Sequence, residues 1–178
     1  MSIDSGIDKI IIIDFGSQVT KLIARRIREY SVLSKVLTLN DLKKKNILLN
    51  VKGIILSGGP STVTKSSFPK IPDEIFSSNI PILGICYGLQ LIAKHFKGRV
   101  QSNIKKREFG RALLIKKKDS LLTKNFFNKK KSIVWMSHQD SVQKLPKGFT
   151  NIASTIQSTM TIIENKKKRY MEYNFTLK

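Results

Sequence analysis

The ten residues from Pro81 to Gln90 constrain the fold of this chain more than any other stretch. They include the apolar run Ile-Leu-Gly-Ile, which is typical of a buried strand, and apolar side chains follow at helical spacing at positions 89, 92, 93 and 96. Between the two patterns lies Gly-Ile-Cys-Tyr-Gly, which contains the only cysteine of the chain, Cys86. The stretch predicts a strand, a sharp turn and a helix with the cysteine at the turn, as in a nucleophile elbow.

This placement makes Cys86 a candidate nucleophile. At the N-terminus of a helix, unpaired N–H groups and the helix dipole favour a thiolate over a thiol. Gly84 and Gly88 allow close backbone approach at a strained turn, and the N–H of Tyr87 can donate to an oxyanion. The alternative is that Cys86 is buried and packs as a small apolar side chain, which is the commoner role of a single cysteine.

Strand and helix patterns alternate through the first hundred residues. Strands are predicted at 9–14, 34–39, 51–56 and directly before Cys86. Helices are predicted from an N-cap at Ser17 to Arg28, from Asp73, and from the elbow to a C-cap at Gly98. The alternation indicates an α/β fold with a doubly wound, mostly parallel, flavodoxin-like sheet and helices on both faces.

The part of the chain after Arg99 has a different sequence pattern. Short strand patterns separated by polar turns predict a β-rich extension of the same sheet, at 112–115, 132–136, 151–154 and 160–163. No repeat or linker separates this part from the first, so the sequence predicts a single domain.

Two glycine-bearing turns are expected to meet the elbow. Phe15-Gly16-Ser17 and Ser57-Gly58-Gly59-Pro60 each follow a predicted buried strand. Ligands of such sheets bind outside the carboxyl ends of the strands, so both turns and Cys86 should border one crevice. The backbone N–H groups of Gly58 and Gly59 suit an oxyanion or a carboxylate; a tight loop without a ligand is the alternative.

Charge and composition narrow the function classes. The chain has 33 Lys and Arg against 12 Asp and Glu, a net charge of +21. The lysines form short scattered runs without interleaved aromatic residues, which favours a solvated surface, and nucleic-acid binding is the less favoured alternative. A single cysteine indicates a reducing compartment. No apolar run is long enough to span a bilayer, so a cytoplasmic location is predicted.

Five segments in order carry a resemblance to a known family. They are Asp14–Gln18, Leu56–Pro60, Gly84–Gln90, Arg107–Ala112 and Trp135–His138. Together they resemble the glutaminase (class I glutamine amidotransferase) domains of GMP synthases. The resemblance covers residues 9–170, and the chain contains no counterpart of the synthetase domain of those enzymes.

The resemblance implies that glutamine is hydrolysed through a thioester. Cys86 matches the nucleophile, and the backbone N–H groups of Gly59 and Tyr87 match the oxyanion hole. Ammonia would pass to an ATP-dependent synthetase domain or subunit that aminates XMP to GMP, so ATP and Mg²⁺ belong to that partner; no cofactor or metal is expected in this chain. The implied glutamine-binding residues are Gly58, Gln90, Ser137, His138, Gln139 and Asp140.

Two departures from the family affect the expected activity. Gln139 occupies a position where the family usually has glycine, which hinders any backbone with positive φ there. The family also takes its base and orienting carboxylate from a Phe-His-Pro-Glu motif after the position of Tyr170, whereas this chain has only His95 and His138. His95 falls within the elbow helix, and His138 matches the substrate segment.

We therefore interpret the chain as truncated before the catalytic histidine and as weakly active or inactive. A non-catalytic remnant that binds a synthetase subunit is one alternative. A different cysteine hydrolase of the same fold, with His138 as its base, is another.

The codons of residues 171–178 suggest how the motif was lost. Read from the third base of the Met171 codon, they permit Gly, Ile or Val, Gln, Phe, His, Pro and Glu in order. We expect a one-base slip upstream, in the A-rich codons of Lys166 to Lys168, which makes 171–178 a frameshifted tail. The nucleotide sequence tests this directly, because bases that exclude CAA, CAC or GAA in that frame contradict it.

Overall fold

The structure, a computed structural model, describes residues 6–102, 108–138 and 140–174. Within them the chain forms eleven strands: β1 Lys9–Ile13, β2 Leu33–Leu37, β3 Val51–Leu56, β4 Ile82–Ile85, β5 Arg99–Ser102, β6 Glu108–Lys116, β7 Lys131–His138, β8 Asp140–Lys144, β9 Thr150–Ser154, β10 Ile162–Asn165 and β11 Tyr170–Tyr173. Nine of them build one sheet in the order β2-β1-β3-β4-β11-β10-β9-β6-β7, while β5 and β8 form a separate antiparallel pair. Arg107 and residues 175–178, which the sequence analysis invoked, lie outside the described residues.

The large sheet has a parallel half and an antiparallel half. β2, β1, β3, β4 and β11 pair in parallel, and β10, β9, β6 and β7 continue the sheet with antiparallel pairs. The parallel order is the flavodoxin-like one, and the antiparallel half is the β-rich part predicted after Arg99. The predicted fold class is confirmed.

Helices cover both faces of the parallel half, as apolar runs such as Ile11-Ile12-Ile13 require. Ile11 and Ile13 pack on the face covered by α3 (Tyr87–His95). Ile12 packs on the opposite face with Ala24 of α1 (Thr20–Glu29). A short helix, α2 (Asp73–Ser77), precedes β4. No helix in the described ranges is long and apolar enough to cross a membrane.

Two predicted helix ends are wrong. α1 begins at Thr20, two residues later than a cap at Ser17 predicts. The Ser17 hydroxyl accepts the Val19 N–H at 3.3 Å in the turn before the helix, and the carboxylate of Asp14 accepts hydrogen bonds from Gly16 N–H, Ser17 N–H and the Thr20 hydroxyl in the same turn. At the end of α3, Lys97 rather than Gly98 adopts the left-handed conformation (φ 61°). Gly98 N–H donates to Ala93 O at 2.7 Å, so the glycine closes the helix one position further on.

β11 lies in the interior of the sheet, between β4 and β10. Its side chains alternate: residues 170, 172 and 174 are buried and residues 171 and 173 are half-buried. Two of the buried positions hold polar residues. Glu172 and Asn174 are 0 % exposed, and both carboxylate oxygens of Glu172 and the Oδ1 of Asn174 lack a hydrogen-bond partner among the described residues. Burial raises the pKa of Glu172 well above its usual value.

We predict that Glu172→Val stabilises the fold. The folded-state pKa of Glu172 lies above the ordinary value of 4.5, so the unfolded chain releases this proton first and stability falls as the pH rises above that value. Removing the unpaired buried carboxyl should raise the free energy of unfolding at pH 7.5 by about 3 kcal/mol, with a smaller gain at pH 4.5. Urea denaturation at the two pH values measures both.

Glu172→Gln is the matched control, because it removes the ionisation and keeps the buried polar group. We expect it to lose the pH dependence and to gain less stability than the valine variant. A Glu172→Val protein less stable than the wild type at pH 7.5 would contradict the conclusion that the buried Glu172 carboxyl destabilises the fold.

Candidate active site

Cys86 lies at a strained turn between β4 and α3. Its φ of 50° and ψ of −101° are unusual for a residue with a side chain. Hydrogen bonds on both sides hold it there: Cys86 N–H donates to Tyr173 O at 2.9 Å, and Gln90 N–H donates to Cys86 O at 3.2 Å. The predicted elbow is therefore present, with its cysteine in the strained position.

Gly84 and Gly88 are needed because the backbone is crowded around the elbow. A Cβ on Gly84 would lie 2.8 Å from the Gly88 carbonyl carbon, and one on Gly88 would lie 2.7 Å from the Leu56 Cβ, both closer than real Cβ atoms approach. Gly88 N–H also donates to Ser57 O at 3.2 Å. The start of α3 is thereby fixed directly against the end of β3.

The turn after β3 is built just as closely. A Cβ on Gly59 would meet the Phe15 carbonyl oxygen at 2.5 Å, whereas one on Gly58 would meet the Cys86 Cβ at an ordinary 3.7 Å. Ser57 N–H donates to Ile13 O at 3.1 Å. The double-glycine turn is therefore packed between the turn after β1 and the elbow.

The three turns border one cleft of about 760 Å³. Its walls come from the turn after β1, the double-glycine turn, the elbow, α1, Ser137 and Tyr173. In the described part of the chain, the N–H groups of Gly59 and Tyr87 have no protein acceptor. Gly59 lines the cleft and Tyr87 directly follows Cys86. Two such donors next to a cysteine can stabilise a negatively charged oxygen on a carbon bound to the sulfur.

The Cys86 sulfur is not a ready thiolate. Cys86 packs with Ile12, Ile55 and Ile85, and this burial raises the pKa of its thiol to about 12. This loss of hydration acts against the effect that the sequence analysis expects from the helix N-terminus. Cys86 needs a proton acceptor to react at neutral pH.

The implied substrate residues fall into two groups. Gly58 and Ser137 line the cleft with Cys86. Gln90, His138 and Asp140 are at most 6 % exposed, and none of the three is among the cleft residues of the described chain. The Thr62 hydroxyl donates to the Asp140 carboxylate. Gln139 lies outside the described residues.

Neither histidine lines the cleft with Cys86. His95 ends α3 nine residues after Cys86, which is about 13 Å along the helix axis. Its ring stacks on Phe76 at 3.8 Å between centroids. The His138 side chain is 3 % exposed, with Nε2 3.6 Å from Glu108 Oε2. The part of the chain that the structure describes thus places no imidazole in the cleft.

Sequence reasoning missed Tyr173 and Ser57 as parts of the site. The Tyr173 carbonyl accepts the Cys86 N–H, and its side chain lines the cleft. Burial, and then the nearby Cys86 thiol, raise the pKa of the Tyr173 phenol. No sequence signal indicated that residues 170 to 173 pair with the elbow strand. Ser57 belongs to a recognised turn, yet its side chain gave no separate signal.

We predict that alkylation of Cys86 by iodoacetamide keeps accelerating with pH. With a thiol pKa of about 12, the rate should rise about tenfold per pH unit from pH 7 to pH 10. An ordinary cysteine would level off near pH 9. Mass spectrometry of the intact protein measures the rate, and Cys86→Ser, which leaves no thiol, is the blank. A plateau below pH 9 would show that the thiol is solvated or activated.

We also predict that Gly88→Ala destabilises the protein, whereas Gly53→Ala does not. The new Cβ at position 88 would overlap Leu56, but a Cβ at position 53 meets nothing closer than 3.6 Å. The free energy of unfolding should fall by about 3 kcal/mol for Gly88→Ala and change by less than about 1 kcal/mol for Gly53→Ala. Equal effects of the two variants in chemical denaturation would contradict the close packing of the elbow.

Comparison with known proteins agrees with this geometry. The family model described as "Glutamine amidotransferase class-I" matches residues 11–172. A protein named GMP synthase [glutamine-hydrolyzing] from Prochlorococcus marinus is 47% identical over 166 residues, which is 93% of this chain and 31% of that protein. Another of that name from Brachyspira hyodysenteriae is 42% identical over 96% of this chain and 33% of its own length. The chain thus spans about a third of these relatives.

Solved structures show the same fold. The crystal structure of a proposed GMP synthase subunit from Thermoplasma acidophilum superposes with a TM-score of 0.76 at 28% identity, covering 95% of this chain and 83% of that one. A glutamine amidotransferase from Thermotoga maritima superposes with a TM-score of 0.75 at 18% identity, covering 95% and 75% of the two chains. With the family match over residues 11–172, these results show that the chain belongs to the class I glutamine amidotransferases.

Proposed function

We propose that this chain is the glutaminase domain of a GMP synthase system, with Cys86 as its nucleophile. The observation that carries the proposal is the strained Cys86 beside the N–H groups of Gly59 and Tyr87, which have no acceptor in the part of the chain that the structure describes. The similarity to glutamine-hydrolysing GMP synthases gives the substrate. This is an arrangement for transfer of an acyl group to sulfur.

The reaction would proceed in two halves. The Cys86 sulfur bonds to the side-chain amide carbon of glutamine, and the carbonyl electrons move to the oxygen, which accepts hydrogen bonds from the Gly59 and Tyr87 N–H groups. Collapse of this intermediate breaks the C–N bond, and the nitrogen leaves as ammonia after gaining a proton. Water then hydrolyses the thioester and releases glutamate.

The cleft supports only part of the expected substrate contacts. Gly58 and Ser137 border the space next to the sulfur, where the glutamine side chain would lie. Gln90, His138 and Asp140 are proposed to hold the amino-acid end. Asp140 would have to exchange its bond from Thr62 for the substrate ammonium group.

We further propose that the partner receiving the ammonia is a synthetase domain or subunit. The relatives named GMP synthase are about three times the length of this chain. In such an assembly, ATP-dependent amination of XMP to GMP would take place in the partner, and this chain would supply ammonia.

We propose that the chain by itself is a poor catalyst. The half-buried Cys86 thiol, with its pKa of about 12, needs a base, and the described residues place no imidazole in the cleft. Loss of a positioned base lowers rates by about 10²–10⁴. The same observation favours the second candidate function, a non-catalytic domain that binds a synthetase.

A glutaminase assay with added imidazole tests the proposed chemistry. We expect slow release of ammonia from glutamine, with imidazole raising the rate by about tenfold or more because it substitutes for the missing base. Cys86→Ala should show no imidazole-dependent release. If Cys86→Ala and the wild type respond to imidazole equally, Cys86 is not the nucleophile.

The same assay separates the two candidate functions. A remnant that only binds a partner would release no ammonia above the Cys86→Ala background at any imidazole concentration. Gly53→Ala, which changes a strand residue away from the cleft, is the matched control and should behave as the wild type.

A further inference from the structure

The Ser57 side chain makes two hydrogen bonds that join the turns around Cys86. Ser57 is 0 % exposed. Its Oγ accepts the Phe15 N–H at 3.1 Å and donates to the Gly58 carbonyl at 2.8 Å. The hydroxyl is therefore fully used, as donor and as acceptor, within the protein.

The bond to the Gly58 carbonyl determines the direction of the next N–H. In a trans peptide, the C=O of one residue and the N–H of the next point to opposite sides of the chain, and the described residues contain no cis peptide. The Gly58 carbonyl is turned inward, to the buried Ser57 hydroxyl. The Gly59 N–H is consequently turned away from Ser57, and Gly59 borders the cleft.

Among the described residues, the Ser57 hydroxyl is the one hydrogen-bond partner of this peptide. Two consecutive glycines have little intrinsic backbone preference, so their own φ and ψ angles do not hold the peptide in one orientation. A flip would direct the Gly58 carbonyl oxygen, an acceptor, toward the space where the substrate oxygen gains negative charge. The substrate oxygen would then face the Gly58 carbonyl oxygen, which repels it, in place of the Gly59 N–H donor, and the fold would be unchanged.

We propose that Ser57 is a positioning residue that holds the Gly58–Gly59 peptide in the orientation required for the oxyanion hole. This inference rests on the proposed function and deepens it. Ser57 touches no substrate: it acts through the Gly59 N–H, while its backbone carbonyl, by accepting the Gly88 N–H, keeps the same turn against the elbow helix.

The test compares two reactions of Cys86 that differ in one respect. The γ-(p-nitrophenyl) ester of L-glutamate acylates the sulfur: the S–C bond forms, the carbonyl oxygen becomes an oxyanion, and p-nitrophenolate then leaves as the carbonyl re-forms. Iodoacetamide alkylates the same sulfur by displacing iodide, without an oxyanion. Both reactions need the thiolate, so the ratio of their rates at one pH cancels the high thiol pKa and reports the oxyanion hole.

Four variants separate the hydroxyl group from the shape of the side chain. Serine and threonine have the hydroxyl, whereas alanine and valine lack it, and Thr and Val have nearly the same shape. We expect Ser57→Ala and Ser57→Val to lower the ratio of acylation to alkylation by about 10²-fold, the effect of losing one oxyanion donor. Ser57→Thr should keep the ratio of the wild type. Release of p-nitrophenolate and intact mass measure the two rates.

Ser34→Ala is the matched control for loss of a buried hydroxyl. Ser34 is 4 % exposed and donates to Ala24 O at 2.9 Å, on β2, away from the cleft. We expect it to leave both rates unchanged. A variant that unfolds would be recognised because its alkylation rate would equal that of a peptide spanning residues 81–90. If Ser57→Ala unfolds, the comparison between Ser57→Thr and Ser57→Val tests the hydroxyl.

The outcomes distinguish a failure of the inference about Ser57 from a failure of the proposed function. If the wild-type ratio is no higher than that of the 81–90 peptide, the site has no oxyanion hole, and the proposed function and the role of Ser57 both fail. If the wild-type ratio is high and the hydroxyl-free variants keep it, the role of Ser57 alone is overturned. A ratio that falls only in Ala and Val establishes Ser57 as the positioning residue.

Discussion

The close approach of the elbow helix to β3 is the constraint on which the rest of the structure depends. Gly88 lies so near Leu56 that no side chain fits between them, and its N–H bonds to Ser57 O. Because α3 cannot move away from β3, the double-glycine turn and Cys86 are held as neighbours. The alignment of three loops at one edge of the sheet follows from this single contact between two main chains.

The same packing has two opposite effects on the chemistry of the site. Among the described residues, the Gly59 and Tyr87 N–H groups have no acceptor and can donate to an oxyanion, but burial of the nearby Cys86 sulfur raises the pKa of its thiol. The proposed oxyanion hole is therefore useful only with a base that removes the proton. The described residues supply hydrogen-bond donors for the proposed oxyanion, but they place no imidazole in the cleft to remove the thiol proton.

The local sequence pattern predicted most of the strands and helices. Contacts between residues that are distant in sequence explain the features that the pattern did not predict. β3 has the predicted bounds, because six residues of a buried strand stand between clear turn signals. The start of α1 was misplaced because the Ser17 hydroxyl accepts the Val19 N–H within a turn that precedes the helix, a turn that the carboxylate of Asp14 also holds through the Gly16 and Ser17 N–H groups. The thiol pKa depends on packing against Ile12 and Ile55, which are distant in sequence, and the pairing of β11 with β4 depends on the whole sheet.

The position of β11 has a consequence for how the protein can fold. β11 is the last strand in the described chain, yet it joins the parallel half of the sheet to the antiparallel half. While the chain is being synthesised, the strands on either side of this gap expose unpaired edges, and such edges favour association with other chains. Completion of the sheet has to wait for residues 170–173. A substitution in residues 170–173 therefore affects the centre of the sheet, with paired strands on both sides.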